Sequence, residues 1–140
     1  MVGYPKWFSK RFISISFFIL AVTGFFLIPN TLNHRFDFTV PLILQGTLRL
    51  AVTSLHTLMT YIFIFIVGGI SVIHARNGLK KNRNKVSGLM ILTMTVLLVL
   101  SGLGVLYFGN ENLISLSSIV HILAGVQVSV FYFVHFFQKK

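Results

Sequence analysis

The sequence predicts an all-α fold: an up-and-down transmembrane four-helix bundle occupying residues 1–140 as one domain, with both termini cytoplasmic. Three observations predict it. The 140 residues are 55% hydrophobic and only 10% charged, with a mean hydropathy of +0.86, whereas soluble domains carry about a quarter charged residues. Four apolar runs long enough to span a bilayer are separated by polar segments too short to form another domain. The cations also alternate in side. Lys6, Lys10, Arg11, Arg76, Lys80, Lys81, Arg83, Lys85, Lys139 and Lys140 fall with the termini and the 76–85 segment; only Arg35 and Arg49, with the acids Asp37 and Glu111, fall opposite. The positive-inside bias places the first side in the cytoplasm.

The first span covers 8–28. It follows the basic, aromatic opening MVGYPKWFSKRF, where Tyr4 and Trp7 suit the membrane interface. No small-x-small site follows Ile28, so the run reads as a retained span rather than a cleaved signal peptide. Residues 29–50 open on Pro29 and are interrupted by Pro41 and Gly46, which predicts a loop with room for an interfacial helix. Its apolar stretch, VPLIL, is too short to cross. The second span, 50–75, ends in ARNGLKKNRNK, where Gly78 and the asparagines stop the helix. The third, 86–108, closes at the turn GNEN, and the fourth covers 114–137.

Histidines mark the two even-numbered spans. A histidine at membrane depth is a functional-site candidate. His56 and His74 are eighteen residues apart, and His121 and His135 fourteen, so each pair lies within about 40° of one helix face. Spans two and four run parallel in this plan. His56 and His121 therefore share the outer level, and His74 and His135 the inner one. With no cysteine in the chain, covalently attached haem, iron–sulfur clusters and disulfides are excluded. Zinc usually wants a third protein ligand and, for hydrolysis, an acid, and the spans hold no carboxylate. Two facing imidazoles with space for a macrocycle suit haem iron, so two non-covalent haem b groups are expected. Space is signalled by Gly88 and Gly102, fourteen residues apart with Thr95 midway, and by Gly24 in the first span. The unequal spacings differ by about 6 Å of helix rise. A tilt of the second span, or a distortion at Gly68-Gly69, is expected to absorb it. The net charge of +10 lies in segments flanking the spans rather than on one polar face, so no nucleic acid is expected as partner.

The H-x13-H of the fourth span, the glycine pair of the third at the same spacing and the parallel histidine-bearing spans resemble the haem-binding half of cytochrome b from quinol-oxidising complexes. The size and four-span plan look more like the small di-haem b-type cytochromes that anchor respiratory dehydrogenases and reductases. The resemblance covers nearly the whole chain; the H-x17-H of the second span and the lack of a glycine pair in the first depart from it. It implies that His56 and His121 ligate the iron of an outer haem and His74 and His135 that of an inner one, with Gly88, Gly102 and Gly24 against the porphyrins. It also implies an electron-transfer subunit of an oxidoreductase complex in a bacterial or archaeal cytoplasmic membrane. Electrons would pass between a partner subunit, such as an extracytoplasmic electron-transfer protein, and quinone or another carrier.

Arg49 and Arg76 flank the second span and could pair with haem propionates; their plainer role is topology. Asn30, His34, Asn110 and Glu111 are polar candidates for a quinone site at the outer surface. Tyr107, Phe131, Tyr132 and Phe133 are expected to face lipid. Gly68-Gly69, Gly104 and Gly125 are expected at helix contacts. Two readings compete with the haem one: a cofactor-free four-span accessory or assembly subunit whose histidines hydrogen-bond between helices, and a histidine-lined metal or proton pathway.

Overall fold

The computed structural model describes residues 10–70 and 85–137. They form four helices and no strand: α1 (Lys10–Phe36), α2 (Gly46–Ile70), α3 (Lys85–Tyr107) and α4 (Glu111–Phe137). All four are long and apolar enough to cross a membrane, as the hydrophobic runs require. The radial distribution of side chains is the reverse of a soluble protein's. Phe18, Phe25, Leu100, Leu116 and Val130 point outward, Phe25 with 71% of its surface exposed. The buried positions are largely small and polar: Ser16, Thr23, Thr95, Ser101, Ser117 and Ser118. Lipid tails solvate the apolar exterior, while small hydroxyl residues let backbones approach and bond across helices. Gly104 and Ser117 show how close that approach is, because a Cβ at Gly104 would overlap Ser117 Oγ.

α1 packs along α2 and α3 along α4, as two antiparallel pairs joined chiefly where α1 meets α4. The turn between α3 and α4 is short because Asn110 caps α4. Its Oδ1 accepts from the backbone N–H of Asn112 (2.9 Å) and Leu113 (3.3 Å), and Glu111 follows in the first turn, where a negative charge suits the helix dipole.

The connection between α1 and α2 differs from expectation. Pro29 does not open a loop; α1 runs through it to Phe36. The helix then ends on Asp37 in the left-handed region (φ 52°), whose N–H reaches the Asn33 carbonyl at 3.1 Å. The physical reason lies in tertiary contacts. Asn30 is buried and pairs with the Leu44 backbone twice, Nδ2 donating to the carbonyl at 2.8 Å and Oδ1 accepting from the amide at 3.0 Å. This clamp holds the returning chain against α1 one residue past the proline. At 27 residues, α1 is about 40 Å long against a hydrocarbon core of about 30 Å, so Pro29 can sit toward a membrane surface.

A second correction concerns Tyr132. It does not face lipid: its ring stacks on Phe17 with centroids 4.0 Å apart, and its hydroxyl lies 2.7 Å from Ser14 Oγ. Phe17 is only 6% exposed and also meets Phe63 of α2 at 5.9 Å. The aromatic cluster fills the bundle about 10–16 Å in depth from the level of His121, by helix rise.

Candidate functional site

His56 of α2 and His121 of α4 face each other across the boundary between the two helix pairs. Their ring centroids are 6.5 Å apart and their planes cross at 77°. Each ring is held from behind by the other helix of its own pair. His56 Nδ1 lies 2.9 Å from Thr23 Oγ1 on α1, and His121 Nδ1 lies 3.1 Å from Ser101 Oγ on α3. The Leu98 carbonyl is a second partner of His121 Nδ1, at 3.2 Å. The glycines explain how the rings come so close to those helices. A Cβ at Gly24 would be 3.1 Å from His56 Cε1, and one at Gly102 would be 3.4 Å from His121 Cε1. Both glycines thus lie against the imidazoles themselves.

Two nitrogen ligands on opposite sides of one metal ion, with bonds of about 2.0 Å and about 1.2 Å from nitrogen to ring centre, have centroids about 6.4 Å apart. The 6.5 Å between the His56 and His121 centroids is of that size. Among the described residues no three His, Cys, Asp or Glu side chains converge, so the local donor set is two nitrogens. That set fits haem iron better than a zinc centre.

The remaining candidates divide. His135 is half-buried on α4, three residues beyond Tyr132; its expected partner His74 and the cation Arg76 lie outside the described residues. Among the described residues, no atom lies within 4 Å of where a Cβ on Gly88 would be. Arg49 Nη1 donates to His34 Nε2 at 2.8 Å on the exposed surface, tying the start of α2 to the end of α1. Of the polar residues considered for quinone, Asn30 is occupied by its backbone clamp and Asn110 by its cap; His34 and Glu111 are exposed. Thr23 and Ser101 were not anticipated from the sequence, since mid-span hydroxyls commonly bond only to their own helix. Their signal was the adjacent glycine: Thr23-Gly24 and Ser101-Gly102 each occur midway along a span.

No family model matches the chain, and neither the curated proteins nor the solved structures contain a match to it.

Proposed function

We propose that this protein is a b-type cytochrome subunit that carries electrons within a membrane, holding haem between His56 and His121. The observation that carries the reading is the opposed imidazole pair, 6.5 Å between centroids, with each Nδ1 engaged by a hydroxyl of the neighbouring helix. Haem held there by His56 and His121 would supply one-electron transfer. The chain's own part is positional. Thr23 and Ser101 orient the two rings, Gly24 and Gly102 admit them close to the helices, and the apolar spans keep water from the pair. The one carboxylate in the described helices is Glu111, in the first turn of α4 and exposed, so net chemistry is assigned to a partner subunit, with quinone or another carrier as the further electron-transfer partner. His74 and His135 are the proposed ligands of a second, inner haem, with Arg49 and Arg76 as propionate partners at the two surfaces. The setting proposed is a bacterial or archaeal cytoplasmic membrane, with both termini inside.

The test is a reduced-minus-oxidised spectrum and a pyridine-haemochrome count on chain purified from haem-replete cells. A b-type α-band is expected, with two haems per chain. His56→Ala and His121→Ala should each remove the same spectral component and leave the other. A colourless protein overturns the reading and leaves the cofactor-free accessory subunit; a count of one removes the inner site alone.

A further inference from the structure

We infer that Thr23 and Ser101 are positioning residues of a duplicated half-site, each fixing the histidine opposite it in the Nδ1–H tautomer and leaving Nε2 free to bind metal. The metal-bearing ligand is taken from the haem proposal above, on which this inference rests; the tautomer is not. The sequences Leu20-Ala21-Val22-Thr23-Gly24 and Leu98-Val99-Leu100-Ser101-Gly102 share the pattern L-x-x-[S/T]-G, and the structure gives both copies the same contacts. The hydroxyl donates back to the carbonyl four residues earlier, Thr23 to Ile19 at 2.8 Å and Ser101 to Leu97 at 2.6 Å. In both copies the leucine carbonyl is 3.2 Å from that hydroxyl. The following glycine lies under the ring, with Cε1 the nearest atom and Nδ1 the next, at 3.7 Å from a Cβ at Gly24 and 3.6 Å from one at Gly102.

Proton counting then sets the tautomer. A hydroxyl has one proton, and here the helix carbonyl takes it, so the oxygen can only accept from the imidazole. The Leu98 carbonyl beside His121 Nδ1 is an acceptor without alternative. The Leu20 carbonyl likewise stands as an acceptor to the His56 ring. Nδ1 therefore carries the proton in both rings, and a neutral imidazole has no second one for Nε2. Back-bonding alone is common for hydroxyls in membrane helices. It does not account for two hydroxyls at the same register each receiving a ring nitrogen beside a glycine that the ring covers. In each helix pair, the first helix thus presents the histidine of the second.

The experiment is nitrogen NMR of the full chain, labelled with 15N-histidine, in detergent micelles before and after haem loading. The wild-type apoprotein should show His56 and His121 as the Nδ1–H tautomer. Ser101→Ala should weaken the hydrogen bonding at His121 Nδ1, read as a shift of that nitrogen's resonance while the Leu98 carbonyl still holds the Nδ1–H form, and leave His56 unchanged; Thr23→Val should do the converse. Thr23→Ser, which keeps the hydroxyl, should behave as wild type. In the loaded protein the two hydroxyl-deleting variants should retain haem about tenfold less tightly, the low end of the range for lost outer-shell partners because the leucine carbonyls remain. Their midpoint potentials should rise, since the ligand loses an electron-donating hydrogen bond. Nε2–H histidines in the wild type, or deletion variants with wild-type nitrogen shifts and potentials, would overturn the inference. A chain that shows the expected tautomers and takes up no haem sustains the positioning role and defeats the cofactor reading instead.

Discussion

Alanine at Gly24 tests the site while adding a single methyl group. That methyl would lie 3.1 Å from His56 Cε1, whereas carbon atoms rest about 3.5–4.0 Å apart, so the ring has to retreat by about 0.5 Å. His56 is anchored at 2.9 Å to Thr23, the residue adjacent to the new methyl, and any retreat stretches that bond. Ligand groups need to be held within about 0.5 Å of their working geometry, so the shift falls at the edge of what the site tolerates. Crowding of this kind costs about 1–3 kcal/mol, offset by the roughly 0.5–1 kcal/mol a helix gains from glycine to alanine. The net expectation is a loss of about 1 kcal/mol in stability and a several-fold loss in haem affinity. At Gly102 the corresponding distance is 3.4 Å, so alanine there should be close to neutral. At Gly88 no described residue lies within 4 Å, and alanine should leave the apoprotein as stable or slightly more so. The assay is haem titration of the apoprotein in detergent, followed by absorbance, beside a thermal melt of each variant. Gly102→Ala impairing binding more than Gly24→Ala, or all three variants binding alike, would refute the placement of the rings against these helices.

Four further outcomes follow from the packing. Gly104→Ala should destabilise α3 against α4 by about 1–3 kcal/mol, because its Cβ would overlap Ser117 Oγ and crowd Phe108 Cε2 at 2.9 Å; a double variant with Ser117→Gly should recover part of the loss in detergent denaturation. Asn30→Leu should cost about 1–3 kcal/mol by leaving both Leu44 backbone groups without their partner, and proteolysis should then cleave the 37–45 connection faster than in wild type. Phe17→Ala should lose about 3–5 kcal/mol, since Phe17 is buried between Tyr132 and Phe63. Tyr132→Phe, which removes the bond to Ser14, should lose about 1 kcal/mol in the same denaturation assay.

The sequence by itself determined the four apolar spans and the common level of His56 and His121, because hydropathy and helix rise are local and survive without knowledge of neighbours. It marked Gly24, Gly88 and Gly102 for close approach to a flat ligand, and the structure sets Gly24 and Gly102 against the imidazoles while Gly88 meets no described residue within 4 Å. Other features were decided only by which helix faces which. Local propensity ends a helix near Pro29, and the Asn30–Leu44 clamp from the next segment accompanies its continuation. An aromatic near a span's end reads as interfacial, and the Phe17 stack turns Tyr132 inward. Thr23 and Ser101 look like ordinary mid-helix hydroxyls until α2 and α4 bring an imidazole to each. The physical reason is common to these cases. A hydrogen bond or ring stack between helices depends on their rotation about their own axes, and near-uniformly apolar helices carry little in their sequence to specify that rotation.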